Sequence, residues 1–196
     1  SAQDISSNIH SCTANVTVVD DLDPTALCTD TTIYLDATGN FTIDSSYIDN
    51  GSQDNCSISA LSLSQTAFDC SHIGINLVTL SAQDISSNIH TCTANVTVID
   101  SLSPTAACKD TTIYLDATGN YTIDSSYIDD GSQDNCGISS LSLSQSAFDC
   151  SHIGTNLVTL YLVDTSWNTG NCTSTVTVID SLSPTATCKD TTVYLD

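Results

Sequence analysis

Cationic side chains are nearly absent from this chain of 196 residues, which has 2 Lys and Arg residues against 23 Asp and Glu residues. Every acidic residue is Asp, and the formal net charge is −21. Nucleic acid is excluded as a partner, because phosphate binding requires a basic face. An anionic membrane surface is excluded for the same reason. So acidic a chain resists compaction unless cations neutralise it, and Ca2+ is the natural candidate because it prefers oxygen ligands.

Long apolar runs and catalytic signatures are missing as well. No apolar run is long enough to span a bilayer, and no signal peptide is visible, so we expect no membrane insertion of this segment. The sequence has no Gly-x-Ser-x-Gly nucleophile turn and no Cys-x-x-Cys pair of the kind that binds zinc. His72 and His152 each precede Ile-Gly and are predicted to be loop residues. We therefore expect no enzymatic activity.

What the chain does have is a repeat with a period of 80 residues. A strand-like stretch, a short linker with a proline and a cysteine recur at Val16 to Cys28, Val96 to Cys108 and Val176 to Cys188. Near-identical units in series indicate an array in which each unit packs on its neighbours. The period predicts the last strand of a truncated repeat, two full repeats and the first strand of another truncated repeat, at 1–20, 21–100, 101–180 and 181–196. We therefore expect the sequence to be an excerpt of a longer array.

Each full repeat is predicted to be an all-β, immunoglobulin-like sandwich of about 80 residues. Short alternating segments rich in β-formers are separated by Gly and Asn turns, and no segment has a helical period. In the first full repeat the predicted strands are 31–36, 41–48, 58–64, 76–84 and 92–100, with an irregular crossover at 66–74. A further strand is predicted at 12–20.

The ten cysteines predict a disulfide framework, because four recur in each repeat at constant spacing. In such a sandwich the first and last strands run in the same direction, so their starts are neighbours. This favours the bridges Cys28–Cys92 and Cys108–Cys172. The remaining cysteines then pair by elimination as Cys56–Cys70 and Cys136–Cys150. The rival set, Cys28–Cys56 with Cys70–Cys92, stays open, since four cysteines allow three connectivities.

Acidic loops are predicted to gather where one repeat follows another. The carboxylates expected at the first junction are Asp20, Asp49, Asp54 and Asp84, and those at the second are Asp100, Asp129, Asp130, Asp134 and Asp164. Clustered carboxylate and amide oxygens suit Ca2+, which takes six to eight oxygen ligands. The alternative interpretation is that these residues are ordinary turn formers, because Asp, Asn, Ser and Gly dominate turns.

Three short motifs give the chain a family resemblance. They are Pro-x-x-x-Cys-x-Asp at Pro104 to Asp110, Asp-Asn-Cys-Gly at Asp134 to Gly137, and Asp-x-Ser-x-Asn at Asp164 to Asn168 before Cys-Thr-x-x-Val-Thr-Val. In this order they resemble the hyalin repeat, and still more the tandem Ig-like repeats of bacterial cell-surface adhesins and extracellular filament proteins. The resemblance implies an extracellular adhesion or stalk module without enzymatic activity.

The repeats, short linkers and disulfides together favour a structural segment of an extracellular, secreted or cell-surface fibre, stalk or filament. Its partners would be neighbouring repeats or copies of itself. The alternative is an adhesin that binds a glycan or protein through the variable loops 81–91 and 161–171, where the two repeats differ most. A third possibility is strand exchange between chains through the segments 12–20 and 191–196.

Sugar attachment is a further hypothesis, because several asparagines lie in Asn-x-Ser/Thr triplets. The candidates of most interest are Asn15, Asn40, Asn95 and Asn120; the same triplet occurs at Asn55 and Asn171.

Overall fold

The computed structural model describes residues 1–195 as an all-β chain, which confirms the predicted fold class. The chain divides into two compact units. Unit 1 comprises Ser1–Ile33, Thr42–Phe68 and Gly74–Val98, and unit 2 comprises Tyr34–Phe41, Asp69–Ile73 and the chain from Ile99 onward. Unit 2 therefore includes two short pieces of the 21–100 sequence repeat. The boundaries at 20, 100 and 180 stay predictions for independently folding repeats.

The first hundred residues form one larger sheet and two small ones. Strands β3, β8, β7 and β5 form a four-stranded sheet in that order, while β1 pairs with β2 and β4 pairs with β6. The strands are β1 (Ala2–Gln3), β2 (Ile9–His10), β3 (Thr31–Tyr34), β4 (Asn40–Thr42), β5 (Ile58–Leu63), β6 (Ala67–Asp69), β7 (Gly74–Asp84) and β8 (Ile89–Ile99). Short 3-10 helices cover Ser45–Tyr47 and Cys70–His72.

The remaining strands repeat this arrangement within unit 2. Strands β11, β13, β14 and β9 form a four-stranded sheet in that order, and β10 pairs with β12. They are β9 (Thr111–Tyr114), β10 (Asn120–Thr122), β11 (Ile138–Leu143), β12 (Ala147–Asp149), β13 (Gly154–Asp164) and β14 (Thr169–Ile179), with 3-10 helices at Ser125–Tyr127 and Cys150–His152. The first and last strands of the larger sheet, β9 and β14, are parallel, with Thr111 opposite Val176.

Strict alternation of side chains builds the core of unit 2 and also carries an acidic residue to its edge. Along β13, Val158, Leu160 and Leu162 are fully buried, because alternate residues of a strand face the same side. The next position on that side is Asp164, which is also buried. The buried row of β8 likewise continues into Asp100. The sheet pattern thus places carboxylates inside the fold where a core strand ends.

Two disulfides close the ends of the parallel strands. Cys108 precedes β9 and Cys172 lies near the start of β14, and the parallel register brings them together in a bridge with Cα atoms 5.9 Å apart. Cys28 and Cys92 form the equivalent bridge, with a Cα separation of 5.8 Å. These are the two pairs that strand direction favours.

The third disulfide differs from the pairs expected by elimination. Cys70 is bonded to Cys136, so Cys56–Cys70 and Cys136–Cys150 do not form, and Cys56 and Cys150 are free and exposed. Cys70 pairs with Cys136 because the two residues lie next to each other in the fold. The Cys70 sulfur lies 3.4 Å from the Asn135 carbonyl oxygen, next to Cys136. The Cys70–Cys136 bridge joins the sequence repeat 21–100 to the repeat 101–180, and both cysteines belong to unit 2.

Some predicted strands take another form. The segment 41–48 continues only to Thr42, because the Asp44 carboxylate accepts a hydrogen bond from the Ser46 backbone N–H at 2.9 Å and begins a 3-10 turn. The irregular crossover contains strand β6. No strand forms at 11–20 or at 181–195, and Asp196, the end of the predicted strand 191–196, lies outside the described residues. Among the described residues, no helix is long and apolar enough to cross a membrane.

Candidate cation site

Three carboxylates converge at one place in unit 2. Asp100, Asp134 and Asp164 each offer a carboxylate oxygen, and these oxygens all lie within 4.8 Å of one another. Asp100 is 4% exposed and Asp164 is 1% exposed, so two of the three acids are removed from bulk water. We call this group the unit 2 acidic cluster.

Local hydrogen bonds hold each carboxylate in place. The Asp164 carboxylate accepts from the backbone N–H groups of Ser166 and Asn168, both at 2.8 Å, and so closes the loop between β13 and β14. Asp134 accepts from the backbone N–H of Cys136 at 2.8 Å. These bonds fix the side chains by the ordinary chemistry of Asx turns. The cluster is therefore pre-organised by its own loops.

Several polar atoms of this cluster have no protein partner. The Asp100 Oδ2, Asp134 Oδ1 and Asn135 Oδ1 atoms are buried and accept no hydrogen bond. Buried polar atoms in native proteins are nearly always satisfied by protein, ordered water or an ion, so these oxygens are suited to such a partner. All three are oxygen acceptors, and they lie on residues that are hydrogen-bonded to one another or adjacent in sequence. A cation bound by oxygen ligands would satisfy them together.

Repulsion between the carboxylates of the cluster also favours a bound cation. Two unit charges 4.8 Å apart, the upper limit of the spacing in this cluster, repel each other by roughly 3 kcal/mol at an effective dielectric constant of about 20. Among the described residues, no ion pair joins a Lys or His side chain to the cluster; His72 pairs with Asp69 and His152 with Asp149. The cluster thus concentrates negative charge without a protein counter-charge.

Unit 1 contains the matching cluster, formed by Asp20, Asp54 and Asp84, again with oxygens within 4.8 Å of one another. Asp84 is 1% exposed, and its carboxylate accepts from the Asn88 amide at 2.7 Å. A hydrogen bond from the Cys56 thiol is the main reason why the pKa of Asp20 is lowered. The same hydrogen bond to Asp20 raises the pKa of the Cys56 thiol.

Three acidic residues expected at the junctions lie outside both clusters. Asp49 and Asp129 accept short hydrogen bonds from the hydroxyls of Ser52 and Ser132, both at 2.6 Å, and so serve their own loops. The Ser132 hydroxyl is the main cause of a lowered pKa at Asp129. The backbone N–H of Asp130 donates to Ala107 instead. The hydrogen bonds of Asp49 and Asp129 are those of ordinary turn formers.

One residue of the cluster was not predicted. Asn135 donates from its amide to Asp100 Oδ1 at 3.1 Å, while its own Oδ1 has no partner. The signal available in the sequence was the tripeptide Asp-Asn-Cys, which occurs at the same place in both repeats, at 54–56 and 134–136.

The candidate sugar sites are all exposed, although most of their amides are already engaged. The Asn40 and Asn120 amides donate to the Thr38 and Thr118 carbonyls at 2.9 and 3.0 Å. The Asn95 amide donates to Asp30 at 3.2 Å. Asn15 lies in an exposed segment without secondary structure. Glycosylation at these four positions stays a prediction.

Comparison with known proteins gives distant likenesses only. No protein-family model matches the chain, and no curated protein matches it. The resemblance to the hyalin repeat therefore stays a prediction. The solved extracellular cadherin domains 1-4 of protocadherin gamma B7 are 13% identical, with a TM-score of 0.38, and the match covers 82% of this chain and 52% of that chain. This chain thus spans about half the length of that four-domain chain.

Two further solved structures belong to the same range of similarity. Domains EC1-2 of the human mucin-like protocadherin are 12% identical over 79% of this chain and 98% of that chain, with a TM-score of 0.36. The fibronectin(III)-like modules of Clostridium thermocellum CbhA are 11% identical over 88% of this chain and 99% of that chain, with a TM-score of 0.31. At these values the likeness adds no argument about function.

Proposed function

We propose that this chain is a structural segment of an extracellular tandem-repeat fibre, stalk or filament. The observation that carries the proposal is the Cys70–Cys136 bridge, which joins two consecutive sequence repeats. Disulfides form and persist in oxidising compartments, so three of them in one chain suit an extracellular structural or adhesion module.

The disulfides limit how far the chain lengthens under tension. The loops from Cys28 to Cys92 and from Cys108 to Cys172 remain closed, so force extends only the backbone between Cys92 and Cys108. At about 3.5 Å per residue that stretch reaches roughly 56 Å, against roughly 500 Å for Cys28 to Cys172 once the bridges are reduced. Cys70–Cys136 adds a second covalent connection parallel to the linker. Such a chain resists extension, and a single cut in the linker would leave its two parts joined.

The test is to cut the linker. A protease site placed at 101–104 in the full chain should be cleaved without separating the two parts, because Cys70–Cys136 still joins them. Non-reducing electrophoresis should show one species, and reduction should release two fragments. The control is the same cut in the Cys70→Ser/Cys136→Ser variant, which should separate without reductant. Separation of the unreduced parent would contradict the proposed role.

We also propose that Ca2+ binds the unit 2 acidic cluster and its unit 1 counterpart. Asp100, Asp134 and Asp164 would supply carboxylate oxygens, and Asn135 an amide oxygen. The unsatisfied oxygens support this fit, since Ca2+ accepts ligands of both kinds. Bound ions would remove the repulsion between the carboxylates and stiffen the loops that carry them.

Titration calorimetry tests the cation. We expect Ca2+ to bind at two sites, one for each cluster. At a Ca2+ concentration about 100 times Kd, binding stabilises the folded state by about 2.7 kcal/mol, which corresponds to a rise in Tm of about 5–10 °C. Asp134→Asn should remove one site, whereas Asp130→Asn, outside the cluster, should remove none. Identical melting curves in Ca2+ and in chelator would refute this part of the proposal.

A second candidate function, adhesion to a glycan or protein, is favoured by one observation. Trp167 is 82% exposed on the loop between β13 and β14, with a backbone φ of 71°. Exposed aromatic side chains are common in recognition surfaces. Glycan-array binding that Trp167→Ala abolishes would favour this candidate, and absence of binding to any glycan or cell surface would exclude it.

A further inference from the structure

The Cys70–Cys136 bridge and the unit 2 acidic cluster share a three-residue loop, Asp134 to Cys136, and both lie within unit 2. Asp134 belongs to the cluster, and its carboxylate accepts a hydrogen bond from the backbone N–H of Cys136 at 2.8 Å. Cys136 itself is bonded to Cys70. A shift of the Cys136 backbone would take this donor away from Asp134, so the geometry of the cluster depends on the bridge.

Asn135, the middle residue of this loop, contacts both features. Its side-chain amide donates to Asp100 Oδ1 in the cluster at 3.1 Å. Its backbone carbonyl oxygen lies 3.4 Å from the Cys70 sulfur. The amide also donates to the Asp36 backbone carbonyl at 3.3 Å, in the sequence repeat that carries Cys70. Asn135 is therefore held in one position by the cluster and by the chain around the bridge together.

The cluster end of this contact has buried acceptors that the described residues leave unpartnered. Asp100 is 4% exposed, and its Oδ2 atom accepts no hydrogen bond. The Oδ1 atom of Asn135 is also buried and accepts none. Ca2+ takes carboxylate and amide oxygens of this kind as ligands. An ion on these oxygens would fix Asp100 and Asn135 in the positions that they hold beside the closed bridge.

We propose that Ca2+ in the unit 2 acidic cluster and the Cys70–Cys136 bridge stabilise each other, so that removal of the ion makes the bridge easier to reduce. This inference rests on the proposed cation site and adds regulation of the covalent link between the repeats. The link is durable where Ca2+ is abundant and is open to reduction where Ca2+ is scarce.

The coupling has its physical cause in the order of the shared loop. With the bridge closed, Asp134 and Asn135 are already positioned, so the ion binds without having to order them. With the bridge reduced, Cys136 is no longer tied to Cys70, and binding of the ion has to order the loop at a cost in conformational entropy. Coupling between two sites is reciprocal and is typically about 5- to 150-fold. For one loop of three residues we expect a coupling of about tenfold in each direction.

Reduction of the bridge requires a reductant, for which we choose the dithiol dithiothreitol. A thiolate of the reagent attacks the sulfur of Cys70 or Cys136, and the other cysteine leaves as a thiolate. The second thiolate of the reagent then attacks the mixed disulfide and releases the remaining cysteine. Two electrons and two protons pass from the reagent to the two cysteines, and the reagent becomes a cyclic disulfide.

The first experiment measures Ca2+ affinity by titration calorimetry of the full chain without reductant. All chains carry Asp54→Asn, which removes the matching site of unit 1, so that a single affinity is measured. We expect Cys70→Ser/Cys136→Ser to weaken Ca2+ binding about tenfold, although it changes none of the proposed ligands. The matched control is Cys56→Ser/Cys150→Ser, which breaks no disulfide and should leave the affinity of the unit 2 acidic cluster unchanged.

The second experiment needs no cysteine variant. The chain is equilibrated with dithiothreitol at several ratios of its reduced to its oxidised form, once in Ca2+ and once in chelator at equal ionic strength. Alkylation and peptide mass spectrometry then give the reduced fraction of Cys70 and Cys136. Saturating Ca2+ should shift this equilibrium about tenfold towards the bridge, which is about 30 mV for a two-electron couple. Asp134→Asn should abolish the shift, and Asp130→Asn, outside the cluster, should keep it.

The outcomes distinguish this inference from the proposed function. A weaker Ca2+ affinity without the bridge, together with a reduction equilibrium that Ca2+ shifts, supports the inference. An unchanged affinity or an unmoved equilibrium overturns it. If the parent chain then still binds Ca2+ and contains the Cys70–Cys136 bridge, the proposed function stands. A parent chain that binds no Ca2+ overturns the proposed cation site and this inference together.

Discussion

Removing the Cys70–Cys136 bridge should destabilise the chain far more than removing the two free cysteines that occupy the same places in the other repeats. The perturbation is the double variant Cys70→Ser/Cys136→Ser, which removes both sulfur atoms of the bridge and so creates no new unpaired thiol. Its matched control is Cys56→Ser/Cys150→Ser, which changes equivalent positions but breaks no bond.

The magnitude follows from the length of the loop. The two cysteines are 66 residues apart, and neither of the other bridges shortens the path between them. In the chain-entropy treatment, a loop of this length restricts the unfolded chain by about 4.4 kcal/mol at 25 °C. For a chain of this size, that corresponds to a fall in Tm of about 10–15 °C.

Differential scanning calorimetry without reductant measures both variants. We expect the control to melt within about 2 °C of the parent, since both cysteines are exposed, no covalent bond is broken, and serine can still donate a hydrogen bond. The reasoning is refuted if the bridge variant melts with the parent. It is refuted equally if the control falls as far as the bridge variant, because the loss would then come from serine at these positions.

Two further predictions concern the turns near the junction and the response to acid. Gly39→Ala should cost about 1–3 kcal/mol more than Gly119→Ala in urea denaturation. Both glycines have positive φ, so the backbone strain of alanine is the same at the two positions. A Cβ at Gly39 would lie 2.7 Å from the Asn135 carbonyl oxygen, whereas at Gly119 only the Cys150 sulfur is close. Equal losses of stability in the two variants would contradict this prediction. Hydrogen bonds from the following serines lower the pKa of Asp69 and Asp149, so their stabilisation is complete above the ordinary carboxyl pKa of about 4 and is lost as pH falls through the lowered values. The Asp69→Asn/Asp149→Asn variant should therefore melt below the parent at pH 5 and approach it near pH 2, and a constant gap would argue against this.

Much of the candidate site could be predicted because it follows from local alternation. Asp164 occupies the next inward position after Val158, Leu160 and Leu162, so a strand prediction already places it at the edge of the core. The loop acids were harder to assign. Asp129 lies close to Asp134 in sequence, yet its carboxylate accepts a hydrogen bond from Ser132 and lies outside the cluster. Composition and spacing do not reveal side-chain hydrogen bonds of this kind.

The sequence by itself determined the all-β class and the 80-residue repeat, and it favoured the bridges between strand starts without excluding the rival set. Alternation and strand direction are properties of the chain over short and regular distances. Only the tertiary structure decided the partner of Cys70. Pairing by elimination assumed that bonds remain inside one repeat, whereas a disulfide forms between sulfur atoms that are close in space. In this fold the closest partner of Cys70 is Cys136 of the following repeat, 66 residues further along the chain.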